Sequence, residues 1–134
     1  MDALSSRILI RPTDPERSRV FYRDQLGLAI YREFGDRNDP ALVFFLGNGL
    51  LEVSGRGESA SGRESAVSAN LALWVQVRDV AAEHRRLRDA GVEIVRPPKL
   101  EAWGLVEMWV SDPDGLRIVL VEVPDDHPLR RDQR

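Results

Sequence analysis

The chain has 134 residues, 43% hydrophobic and 31% charged, the balance of a folded globular protein rather than a disordered one. Its formal net charge is −3, from 19 basic and 22 acidic residues, which gives no reason to expect nucleic acid as a partner. There is no cysteine, which excludes disulfides, thiolate nucleophiles and cysteine-held metals; the longest apolar runs, near residues 41–46 and 116–121, are far too short to span a bilayer.

A chain of this length buries about two-thirds of its unfolded surface, so one autonomous domain is expected. Asp2 and Arg7 interrupt any apolar region near the start, so no signal-peptide pattern is read there, and a cytoplasmic protein with no membrane partner is the expectation.

The first strand is predicted over residues 7–11. Pro12-Thr13-Asp14-Pro15 reads as a helix start: Thr13 or Asp14 can cap, and Pro15 suits the first turn. That helix is predicted to run to about Gln25 and to end at Gly27. Residues 28–34 read as a strand, 35–40 as a polar turn and 41–46 as a strongly β-prone strand. Gly47-Asn48-Gly49 is a hairpin signal leading into a strand over 50–54. The first half therefore reads β-α-β-β-β.

Residues 54–69 (SGRGESASGRESAVSA) are small, polar and rich in Gly and Ser, a linker by composition. The pattern then restarts. Residues 71–77 form a strand, Asp79 caps, 80–90 form a helix, Gly91 closes it, and 92–95 form a short strand. Residues 103–123 complete the set as a hairpin. Its strands, 105–110 and 116–123, meet at Asp112-Pro113-Asp114-Gly115, where Pro presets φ, Asp bonds back to its own backbone and Gly tolerates positive φ. Asp14 maps onto Asp79 and Arg23-Asp24 onto Arg88-Asp89 at one offset of 65, so the two halves read as an internal duplication. Residues 124–134 read as a charged, loosely ordered tail.

Two β-α-β-β-β units, FYRDQLGL at the end of the first helix and DPDG before the last strand resemble the vicinal oxygen chelate superfamily, over about residues 6–123. That group includes glyoxalase I, ring-cleaving dioxygenases, fosfomycin-modifying enzymes and bleomycin-resistance proteins. The resemblance implies an α+β fold in which two tandem modules (6–54 and 71–123, joined by a linker at 55–70) form a curved mixed sheet around a concave ligand cavity. It also implies assembly as a homodimer.

In the metal-dependent members, a ligand sits on the first and last strand of each half. Counting from the shared landmarks places these positions at Arg7, Glu52, Ala72 and Val119. Arginine cannot be deprotonated, and alanine and valine have no donor, so one possible ligand of four remains and no metal or other cofactor is expected. Glu122 is no substitute, because strand alternation points it away from the side of Val119. His84 lies on the second helix and His127 in the tail, where neither repairs the set. Arg7 and Glu52 are instead expected to pair as a salt bridge.

The strand LALWVQVR and the Trp103-Gly104 that opens the hairpin are similar to bleomycin-resistance proteins, in which the tryptophan helps to line a groove for a planar, cationic drug. By alternation, Trp74 and Gln76 share the cavity side with Ala72, while Leu73, Val75 and Val77 face the helix. The expected ligand-binding residues are Arg7, Glu52, Trp74, Gln76, Trp103 and Met108, with Met108 as apolar filler near the pocket. Arg11 and Arg117 are further polar contacts. Trp109 is assigned to ordinary core packing and His84 to the helix surface.

The function read from these features is a metal-free small-molecule binder of this superfamily that sequesters a drug or aromatic metabolite, with no catalytic residue. Two alternatives stay open. One is a lyase- or isomerase-like enzyme using Glu52 as acid or base. The other is a glyoxalase- or dioxygenase-like enzyme with a metal site that the landmark count misses.

Overall fold

A computed structural model describes residues 1–58 and 70–131, with no side-chain description for 130 and 131. The chain divides into two compact units, Met1–Ser61 and Gly62–Arg134. The core of the predicted linker, residues 59–69, lies outside the described residues, as do 132–134 of the tail.

The first unit runs β1 (Ile8–Ile10), α1 (Pro15–Val20), a π-helical turn (Phe21–Gln25), β2 (Ile30–Asp36), β3 (Asp39–Leu46) and β4 (Gly49–Val53). Its strands form one mixed sheet in the order β1-β4-β3-β2, with β1 parallel to β4 and the other pairs antiparallel. The second unit repeats the plan: β5 (Ala72–Val77), α2 (Val80–Asp89), β6 (Ile94–Leu100), β7 (Val106–Ser111) and β8 (Arg117–Glu122), in the order β5-β8-β7-β6, with β5 parallel to β8. The expected α+β fold of two tandem β-α-β-β-β modules is the fold observed. Among the described residues, no helix is long and apolar enough to cross a membrane.

The two helices start for the same local reason. Asp14 caps α1 by accepting from the Arg17 N–H at 3.1 Å, and Asp79 caps α2 by accepting from the Ala82 N–H at 2.9 Å. Gly27 and Gly91, which follow the helical segments, have φ of 74° and 80°, the left-handed conformation that glycine adopts without a Cβ clash.

Each helical segment covers one face of its sheet. In the first unit, Phe21 and Tyr22 meet edge-to-face at 4.9 Å, and Tyr22 packs towards Phe44 beside buried Leu42, Leu51 and Val53. In the second, Leu73, Met108, Val110, Ile118 and Leu120 are buried together with Val80 and Leu87 of α2. Burying an aliphatic or aromatic side chain of this size contributes about 1.5–3 kcal/mol, so these faces hold the units together.

Three departures from the sequence reading have physical causes. The first helix becomes π-helical after Val20, with the Leu26 N–H bonding back to the Phe21 carbonyl at 2.8 Å, and this turn brings two successive aromatic residues onto the sheet. Strand β6 runs past residue 95, the end predicted for it, and through Pro97-Pro98. It is an edge strand, where a missing N–H is tolerated, and its pairing register shifts across this segment. The tail is ordered at its start, as the short helix α3 (Pro128–Arg131).

Candidate functional site

The faces not covered by the helices carry the candidate chemistry. Cross-strand partners share a face, so the register of the second sheet sorts its residues into rows. One row across β5, β8, β7 and β6 is Trp74, Val119, Trp109 and Arg96; the row beside it is Ala72, Arg117 and Ser111. A third row on the other side contains Gln76, Val121, Glu107 and Lys99.

Trp74 leaves 51% of its surface exposed, whereas Val121 is fully buried within a small cluster with Leu105 and Val123. Trp109 lies between two cations from the strands on either side. The Arg96 guanidinium is 3.8 Å from its ring centre and that of Arg117 is 4.7 Å away. The indole nitrogen of Trp109 and Nε of Arg96 are buried with no hydrogen-bond partner among the described residues, so donors are in surplus around this ring.

Trp103 stands before β7 and is 58% exposed. Its indole N–H donates to Glu107 Oε2 at 2.7 Å, which draws the ring towards the same face, and its carbonyl is bonded to His127 Nε2 at 3.0 Å. The Leu129 N–H donates to the other ring nitrogen of His127, so the start of the tail fixes the loop that carries Trp103. The acids here are engaged: Glu101 binds Arg96, Glu107 binds Trp103, and each is only 8% exposed.

In the first unit the corresponding row is Leu9, Glu52, Val43 and Arg32. Arg7 and Glu52 form the expected ion pair, with Arg7 Nη1 at 3.2 Å from Glu52 Oε2. Arg11 turns away from that pair and donates to the carbonyl and hydroxyl of Ser54 at 3.2 and 3.0 Å. Exposed Leu9, Tyr31 and Phe45 extend the same face, with Tyr31 and Phe45 edge-to-face at 5.2 Å.

The structure therefore brings Trp74, Gln76 and Arg117 onto one face, holds Trp103 towards it, and joins Arg7 to Glu52. Two assignments are corrected. Met108 is fully buried on the helix-covered face, paired with Leu120, and presents no surface to a ligand. Trp109, which the sequence reading placed in the core, lies on the opposite face beside Val119. Both follow from one step of alternation along β7, which needs the register of β7 against β8 and cannot be read from composition. Glu122 behaves as alternation requires: its carboxylate accepts from the Val80 N–H at the start of α2, on the helix side.

Repeated β-α-β-β-β modules, each leaving one sheet face uncovered by its own helix, define a tandem-module α+β fold. The chain belongs to the Glyoxalase/Bleomycin resistance protein/Dioxygenase superfamily, whose family model matches residues 5–120. Among solved structures, SMU.1112c is 26% identical with a TM-score of 0.72, covering 91% of this chain and 99% of its own. A protein of unknown function from Agrobacterium tumefaciens str. C58 is 27% identical with a TM-score of 0.68, over 92% of this chain and 95% of that one. TnmS3, an antibiotic binding protein from Streptomyces sp. CB03234, is 21% identical with a TM-score of 0.70, over 92% and 98%; at that identity it shows the fold alone. No curated protein matches the chain at a significant level.

The landmark count assigns the metal positions of this superfamily to Arg7, Glu52, Ala72 and Val119. These residues do not fit a divalent cation. Ala72 and Val119 offer no donor, and the Glu52 carboxylate already accepts from a permanently charged guanidinium.

Proposed function

We propose that this chain is a metal-free binding protein of its superfamily, acting in the cytoplasm, that holds and sequesters a planar aromatic small molecule such as a drug or aromatic metabolite. The observation that carries the reading is the uncovered face of the second unit, where Trp74 and Trp103 are 51% and 58% exposed and Val119, beside Trp74, is half-buried. Exposed indoles flanking an aliphatic floor give stacking area without any reactive group. The antibiotic-binding relative TnmS3 has the same fold, which is consistent with this use of it. Gln76 contributes an amide on the same face, and the Arg7–Glu52 pair occupies the position from which metalloenzymes of the superfamily act. We place the ligand in a homodimer; the exposed apolar residues Leu9, Tyr31 and Phe45 are the kind of surface such an assembly covers.

The test is a thermal-shift panel of planar aromatic compounds on the wild-type protein, Trp74→Ala and Trp103→Ala. A ligand at about a hundred times its Kd stabilises by about 2.7 kcal/mol, a shift that is easily measured. Losing one stacking face is expected to weaken binding by about tenfold and shrink that shift accordingly. Shifts of equal size in the wild type and both variants would place the ligand elsewhere.

A further inference from the structure

The two halves balance the cations on their open faces differently. In the first, Arg7 meets Glu52 at 3.2 Å and its charge is balanced. In the second, Val119 stands where the repeat places Glu52, and the cation of that face, Arg117, makes no ion pair or hydrogen bond among the described residues. Arg117 is exposed, and its cross-strand neighbours, Ala72 on β5 and Ser111 on β7, are both small. Adjacent rows on one face lie about 7 Å apart along a strand, so Arg117 sits diagonally from Trp74 within the length of one small aromatic molecule.

The remaining charges favour the same sign of ligand. Glu101 and Glu107 are buried and engaged, and Glu122 is on the helix side. Glu93 is exposed at the outer edge, opposite Ser111, and makes no ion pair with Arg117. Lys99 opposite Glu107 adds a second exposed cation. A planar cation placed over Trp74 would therefore find Arg117 beside it and no free carboxylate within the aromatic row.

We propose that the open face of the second unit selects planar aromatic carboxylates, with the ring against Trp74 and the carboxylate on the guanidinium of Arg117. This rests on the binding reading above and names its ligand class. A guanidinium offers two parallel N–H donors to a carboxylate, and a charge-assisted pair of this kind outweighs a neutral hydrogen bond.

The experiment is calorimetric titration with three probes of one shape: 2-naphthoate, 2-naphthamide and 2-naphthylmethylammonium. The expected order is naphthoate tightest and ammonium weakest. Arg117→Gln should weaken naphthoate by about tenfold and leave naphthamide within about twofold, while Arg117→Lys keeps most of the preference. Val119→Glu supplies next to Arg117 the carboxylate that Glu52 supplies to Arg7, and should remove the preference for naphthoate in the same way. It also decides the matter if Arg117→Gln does not fold. Tighter binding of the ammonium, or a naphthoate affinity unchanged in Arg117→Gln and Val119→Glu, would overturn the proposal. Equal binding of all three probes overturns this proposal and leaves the binding reading standing; no binding of any probe overturns both.

Discussion

At the scale of single residues, the Arg7–Glu52 pair combines a good ion-pair distance with an exposed setting, from which a small contribution to stability is expected. Its side chains are 41% and 15% exposed, so water and salt screen the attraction. A double-mutant cycle on Arg7→Ala and Glu52→Ala, measured by denaturant unfolding, should give a coupling of at most about 1 kcal/mol, falling as salt is raised. A coupling well above that would mean that the pair is desolvated in the working protein. Arg19 is the opposite case, with its side chain only 6% exposed. Burial opposes its charge, but hydrogen bonds and attraction from Glu16 and Asp39 outweigh that penalty and hold its pKa above the ordinary arginine value. Bonds from Arg19 to Asp39 and to the Pro40 carbonyl tie α1 to the start of β3.

At the scale of elements, the β7–β8 turn was legible because its chemistry is local. Asp112 is 4% exposed, and its Oδ1 accepts from the N–H groups of Asp114 and Leu116 at 2.9 and 2.8 Å, with Gly115 at φ 85° completing the turn. Asp112→Ala leaves both donors without that partner and should cost about 1–3 kcal/mol, read as a lower midpoint in denaturant with an unchanged slope. A loss under about 0.5 kcal/mol would show that water replaces the aspartate without penalty. The caps at Asp14 and Asp79 were legible for the same reason, since a cap is set by residues three apart. Strand β6 was not, because Pro97-Pro98 ends a strand unless the strand is an edge, and edge position depends on the order of the whole sheet.

At the scale of the molecule, membership of a superfamily with metalloenzymes makes a definite prediction about metal. The four positions given by the landmark count hold one carboxylate, and that carboxylate faces an arginine. Dialysis against a strong chelator should therefore leave both the melting temperature and the binding of aromatic probes unchanged. A fall in either that is restored by one equivalent of a divalent metal per chain would show a site built from other donors.

The boundary between sequence and structure follows the range of the interactions involved. The repeat, the helix starts, the DPDG turn and the superfamily are carried by residues within a few positions of each other, and these the sequence determined alone. Alternation also placed Trp74 and Gln76 on one face and Glu122 on the other, because β5 and β8 run without irregularity. Only the tertiary structure decided that Met108 lies on the helix-covered face and half-buried Trp109 on the other, that Arg96 and Arg117 flank that ring, and that Trp103 is held by Glu107 and His127. Each of these depends on register between strands or on a contact across the loop and the tail. A shift of one residue in register moves every side chain of a strand to the other face, and nothing local in the sequence of β7 fixes that register.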